Sequence, residues 1–316
     1  MNKLSTSPPP QLAPGAARPS TRTLAITLGV AVTLAWSYRA NLDELLKSWT
    51  TNPDYSHGIL VVPIALLIAW RLWPGPDDQS PRPTPWGVMP LVLILAIRAW
   101  SYQSGEYWLE TATLVPVVAA LVWTCGGFST LRRLWPAVAF LTFMLTIPGQ
   151  LDAKLSLPLQ RLAARGSCSL LRATGTWVLI EGNVIHCGPE RLEVARACSG
   201  LAMLASLSAS ICAIILVFPF GLRNRLVLLG SIVPIALLCN VTRIAATAWC
   251  YQYFGSEAGH AFAHDAAGWL MMPLAMLMVG LELAWLSWLF ENAPAAPVPS
   301  RPAPVLLGAM IMGARR

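Results

Sequence analysis

The sequence has little charge. Of its 316 residues only 12% are Asp, Glu, Lys or Arg, about half of what a soluble domain carries, so a water-soluble globular fold is excluded. It has no Cys-x-x-Cys pair among its seven cysteines, at 125, 168, 187, 198, 212, 239 and 250. That absence excludes a zinc ribbon or a dithiol redox centre and leaves most of these cysteines as small apolar packing residues. There is no His-Glu-x-x-His pattern, no Gly-x-Ser-x-Gly setting around Ser199 and no pair of intramembrane aspartates, which disfavours the common metallo-, serine and aspartyl intramembrane proteases. A net charge of +7 comes without a basic stripe interleaved with aromatics, so no nucleic-acid partner is expected. The arginines sit in short connections and read as topology signals.

What the sequence does have is 55% hydrophobic residues in long, nearly uncharged runs. The fold class this predicts is an all-α polytopic membrane protein. About eight spans are expected, at 23–40, 58–73, 86–103, 109–126, 134–150, 198–219, 226–250 and 266–290, long enough to cross a hydrocarbon core of about 30 Å with some tilt. The second is shortened by Pro63 and Arg71. Residues 1–22 and 293–316 are expected to be disordered cytoplasmic tails, because stretches such as PPPQLAPGAARPS and APAAPVPSRPAP cannot pack a core. The membrane domain is then 23–292.

Counting Lys and Arg in alternate connections gives twelve on the side of the N-terminus, from Lys3 to Arg316, against Arg39, Lys47, Arg98 and Arg243 on the other side, the long loop 151–197 set apart. The bias predicts both termini in the cytoplasm of a multi-pass protein of a bacterial inner (plasma) membrane. It puts 41–57, 151–197 and 251–265 on the outer face. In the long loop, residues 152–175 carry apolar positions at helical spacing with Lys154, Arg161, Arg165 and Arg172 between them, predicting an interfacial amphipathic helix. Residues 176–197 alternate β-branched positions about Gly182-Asn183, predicting a small β-hairpin between spans five and six.

Three groups of residues at the outer ends of the spans have chemistry to offer. Cys198, in Ala197-Cys198-Ser199-Gly200, stands where the loop meets span six; it is either a reactive thiol at a wet boundary or a packing cysteine beside a close-packing glycine. Arg243 lies roughly 25 Å along span seven from Arg225 at 1.5 Å per residue, near the outer face. An arginine inside a span is a functional candidate unless it only snorkels to headgroups. Asn240, one turn earlier, is placed to orient its guanidinium. His260 and His264, four apart before span eight, share the spacing of paired metal ligands but lack a third strong ligand, and suit proton transfer better. A thiol, an imidazole and a guanidinium meeting at one face suggest cysteine acyl transfer: histidine takes the thiol proton, thiolate attacks a carbonyl, and arginine stabilises the oxyanion. Neither a metal nor an organic cofactor is needed.

Several stretches in order along the chain resemble the exosortase/archaeosortase family of membrane cysteine transpeptidases. They are Asp54-Tyr55-Ser56-His57-Gly58, Pro158-Leu159-Gln160, Gly182-Asn183-Val184-Ile185, Ala197-Cys198-Ser199-Gly200-Leu201, Asn240-x-x-Arg243-Ile244 and His264-x-x-x-Gly268-Trp269. The resemblance implies Cys198 as nucleophile, Arg243 as oxyanion or substrate-carbonyl partner and His264 as third catalytic residue, with Asn240, Ser199, His57 and His260 supporting. It implies partners too: exported proteins whose C-terminal sorting signal joins a Pro-Glu-Pro-like motif to a transmembrane helix, and a lipid or glycan acceptor connected with exopolysaccharide. The chain departs from the family pattern at Arg196, where an acidic residue is expected, and at Ala202, where an arginine commonly stands. The rival reading from another class is a polysaccharide-linked membrane transporter or assembly component, with Arg243 and the histidines lining a polar path.

Overall fold

The computed structural model describes residues 29–30, 32–73, 83–187, 190–193, 200–262 and 267–290. The two tails, part of the first expected span, and Cys198, Ser199 and His264 lie outside these residues. The described chain is predominantly helical, with one small sheet. Four segments are long and apolar enough to cross a membrane: Pro85–Ser104, Tyr107–Met144, Leu222–Gly255 and Leu270–Leu289. Two shorter apolar helices, Gly58–Leu72 and Leu201–Val217, accompany them. The expected count of eight spans is therefore not what these residues establish, and two features explain the difference.

The first is that Tyr107–Met144 takes in two expected spans, which break from each other at Gly127. Helix α5 (Leu114–Phe140) follows the short α4 (Tyr107–Ala112) and continues into a 3-10 turn, Leu141–Met144. Laid straight, these 38 residues would reach about 57 Å. Yet the Trp108 indole N–H donates to the Thr146 carbonyl at 2.7 Å, so the run folds back on itself. The fold is at Gly127, whose φ of 82° and ψ of 168° are not helical and lie where a side chain would be strained. Span five thus ends in a 3-10 turn and not in regular helix to residue 150.

The second is shortness. Helix α2 (Gly58–Leu72) has 15 residues with Pro63 inside, about 22 Å of helix. It is preceded by α1 (Arg39–Thr51), in a segment expected as outer loop, and by the 3-10 turn Pro53–Tyr55. Helix α1 buries Asn41 and Leu45 and exposes Asp43, Glu44 and Lys47, the pattern of a helix lying on the bundle. Asn41 donates to Thr111 Oγ1 at 3.0 Å, and the Trp49 indole donates to the Met144 carbonyl at 3.0 Å. A Cβ at Gly58 would fall 2.2 Å from Trp49 Nε1, so only glycine lets the turn into α2 close beneath that ring.

Helix α3 (Val88–Ser104) precedes α4, and α6 (Gly149–Ala173) opens the long loop. The expected amphipathic helix is present as α6. Its buried face is small and polar, including Ser156, Gln160, Ala163, Ala164 and Ser167, while Leu151, Leu155, Leu157 and Leu162 are exposed. That buried face presses on α8 (Leu222–Ala261): a Cβ at Gly166 would lie 2.7 Å from Val241 Cγ2, and Ser167 Oγ donates to the Val241 carbonyl at 3.2 Å. Small residues let the two backbones approach closely.

After α6 come β1 (Val178–Glu181), β2 (Val184–Cys187) and β3 (Glu190–Glu193). The hairpin at Gly182-Asn183 is as expected. Glu181 pairs with Val184 across the turn, and Gly182 takes a φ of 64° while Asn183 keeps a negative one, as a two-residue turn of type II′ requires. The sheet is larger than a hairpin, however, because β3 adds antiparallel to β2. Val178, Ile185 and Cys187 pack with α6 and with Ile244, Ala245 and Ala248 of α8. Burial pushes the Cys187 thiol up, so it is a packing cysteine. Helices α7 (Leu201–Val217), α8 and α9 (Ala267–Phe290) share a second core through Leu207, Ile211, Leu228, Cys239, Ala275 and Val279. At the far end, Arg71 donates to the Val217 carbonyl and ties α2 to α7.

Candidate active site

Four elements converge at one end of the bundle: the 3-10 turn Pro53–Tyr55, the start of α6, the start of α7 and the second half of α8. Each brings a polar group or a close backbone approach. The turn carries Asp54, α6 carries Asp152 in its first turn, α7 begins at Gly200, and α8 carries Asn240 and Arg243.

Gly200 caps α7 with φ 80°, a left-handed conformation that favours glycine. A Cβ there would stand 3.0 Å from Asn240 Nδ2. The backbone two residues after Cys198 in the sequence is thus seated directly on the buried Asn240, one helical turn from Arg243. Neighbouring positions on α8 divide the work: Val241 meets α6, while Asn240 meets α7.

Arg243 lies within electrostatic reach of Asp54. Asp54 feels three influences: burial, which raises its pKa most, the Arg243 charge, which lowers it, and the Asp152 charge, which raises it. The net result is a carboxyl above its ordinary range. An arginine at membrane depth requires a partner; the Arg243 charge acts on Asp54, and Asp152 lies near enough to Asp54 to oppose it. Asp152 is further tied to its own helix, accepting from Ser156 Oγ at 3.5 Å.

The remaining motif residues brace this end. Tyr55 Oη accepts from the Ile147 backbone N–H at 3.3 Å, which fixes the non-helical stretch between the Leu141–Met144 turn and α6. His57, at the N-cap of α2, is half-buried. Burial drives its imidazole below its ordinary pKa, against hydrogen bonding to the Phe143 and Asp54 main chain. A neutral ring so placed links the 53–55 turn to the 141–144 turn.

Of the residues expected from sequence, the structure places Asn240 and Arg243 together on α8 with Gly200 against Asn240, and His57 on the adjoining turn. His260 falls in the last turn of α8, beyond the bend at Gly255 (φ 89°). Cys198, Ser199 and His264 lie outside the described residues. Sequence reasoning missed Asp152 and saw Asp54 only as part of a motif. The signal for Asp152 was faint: the first carboxylate after span five, just past Pro148-Gly149.

A helical bundle with spans of membrane length, bringing Arg243 and Asp54 together at one end, is a polytopic membrane protein. Its family follows from comparison. The transmembrane exosortase model (Exosortase_EpsH) matches residues 49–281, which takes in Asp54, Asp152, Gly200 and Arg243. The chain belongs to the transmembrane exosortase family. No curated protein and no solved structure matches it.

Proposed function

We infer that the protein is a membrane cysteine peptidase or transpeptidase that cleaves the C-terminal sorting signals of exported proteins. Cys198 is the nucleophile, His264 accepts its proton, and Arg243 stabilises the oxyanion formed when thiolate attacks the scissile carbonyl. Collapse of that tetrahedral species expels the amine of the C-terminal fragment, which takes a proton from His264. The acyl group left on sulfur passes to water or to the nucleophile of a lipid or glycan acceptor. Ser199, Asn240, His57 and His260 support the site.

The observation that carries this reading is the seat of Gly200 on Asn240, a turn from Arg243. Two peptide units separate Gly200 from Cys198, a reach of at most about 7 Å, and that short connection supports assigning the thiol and Arg243 to one site. Family membership over residues 49–281 supports it independently. A transporter would put its polar residues at the bilayer midplane between paired broken helices, whereas these gather at one end.

The wider arrangement in this reading is eight passes, with both termini in the cytoplasm, the site on the outer face of a bacterial inner membrane, and sorting signals that pair a Pro-Glu-Pro-like motif with a transmembrane helix. The test is processing of exported substrates in cells with wild type or Cys198→Ala. Loss of the C-terminal segment only with wild type supports the enzyme, and the mass of the product end separates hydrolysis from transfer. Equal processing by a properly inserted Cys198→Ala variant overturns it. Reporter fusions in the 127–133 and 251–265 connections test the orientation.

A further inference from the structure

A second polar feature lies apart from Arg243, where the start of α1 meets the last turns of α3. A cleft of about 400 Å³ opens there, lined by Trp36, Arg39, Asn41, Leu95, Arg98 and Gln103 among others. It is at the same end of the bundle as the candidate active site, since Trp108 of the adjoining α4 bonds to Thr146 and Ile147 bonds to Tyr55.

The two arginines of this cleft do different things. Arg98 is fully engaged: it donates to Ser37 Oγ and to the Ser37 carbonyl at 2.5 Å each, pairs with Glu110 at 3.4 Å, and lies 3.7 Å above the Tyr38 ring. Its charge is matched by Glu110, and its role is to clamp residues 37–38 to α3. Arg39 makes no ion pair with any described residue. Its guanidinium rests 5.2 Å over the Trp36 ring, which orients the group while leaving its N–H edge to donate. The nearby carboxylates Asp43 and Glu44 are exposed on α1 and do not line the cleft. The cleft therefore carries one uncompensated positive charge.

We propose that this cleft binds the phosphodiester headgroup of an anionic membrane lipid, with Arg39 on the phosphate, Gln103 at the headgroup's polar end, and the acyl chains along α3. Three features select a lipid over a soluble anion. Trp36 and Tyr102 at the rim are 72% and 75% exposed, and exposed aromatics mark headgroup depth. The inner wall includes Leu95 and Ala99. It runs into the exposed apolar surface of Val92 and Leu93, which suits acyl chain and not water. The volume is that of a small-molecule site.

The experiment is native mass spectrometry of the full-length protein in detergent with phosphatidylglycerol, phosphatidylcholine, or glycerol phosphate as probe. Phosphatidylglycerol should be retained about fivefold better than phosphatidylcholine, the contribution of one interfacial arginine. Arg39→Gln should abolish that preference, Arg39→Lys should keep it, and Lys47→Gln, an equal charge loss on the exposed face of α1, should leave it intact. Equal retention of both lipids overturns the proposal, as does an Arg39→Gln variant that still discriminates. Displacement of phosphatidylglycerol by equimolar glycerol phosphate would make it a soluble-anion site and also overturns it. Should Arg39→Gln fail to fold, Trp36→Ala and the wild-type competition decide the matter.

Discussion

Asp54, on a 3-10 turn before α2, lies within electrostatic reach of Arg243 on α8. Nothing local pairs them: one precedes the first short apolar helix and the other lies in the second half of the longest. They come near one another because α7 packs on both the 53–55 turn and α8, and α6 packs on α8.

Asp54→Asn should therefore lower substrate processing by about tenfold, the worth of about 1.4 kcal/mol of electrostatic support to Arg243, while membrane levels stay near wild type. Asp152→Asn should cost less than Asp54→Asn, and its effect should change in the Asp54→Asn background, since the Asp152 charge bears on Asp54. Quantitative processing assays on the two single variants and the double variant check this. Full activity in Asp54→Asn would remove the carboxylate from the site.

Arg243→Lys should be inactive. A lysine keeps the charge but not the planar fork that can meet carboxylates on one edge and a developing oxyanion on another. Processing measured beside Arg243→Ala checks the point; substantial recovery with lysine would reduce Arg243 to a point charge.

Gly200→Ala tests the seat of α7. The left-handed φ of 80° disfavours any side chain by about 1–2 kcal/mol, and its Cβ would press on Asn240 at 3.0 Å. Processing should fall more than thermal stability does. Gly166→Val should do the reverse, because it separates α6 from Val241 at a cost of about 1–3 kcal/mol, read as a lower thermal midpoint in detergent.

His57 sets an acid limit. Its imidazole is depressed below 6.5 by burial, so the unfolded chain binds the proton more readily than the folded one. The stability His57 contributes is fully present above pH 6.5 and is lost as pH falls through the depressed folded value. The thermal midpoint of wild type should drop on acidification across this window, and His57→Gln should flatten that drop. Parallel curves for the two proteins would contradict it.

Much of the architecture was legible in the sequence because hydropathy is a local property. The apolar runs, the amphipathic helix at 152–175 and the Gly182-Asn183 turn each follow from residues within reach of one another along the chain. The family motifs are legible for the same reason, and they pointed to Asn240 and Arg243. The bend of 107–144 at Gly127 is legible too, as the start of the connection expected at 127–133, but the sequence could not reveal that span five ends early in the 3-10 turn Leu141–Met144. Nor could it show that α1 is helical, since its buried Asn41 and Leu45 have partners only on other elements.

What the sequence by itself determined is the kind of molecule and the reactive groups it carries: too little charge for water, enough apolar length for a bilayer, and a cysteine, an arginine and histidines at span ends. What the tertiary structure decided is the electrostatic setting. Asp54, Asp152 and Arg243 come from three elements far apart in the chain. Charges interact through space and not along the backbone, so their grouping follows from how α6, α7 and α8 pack.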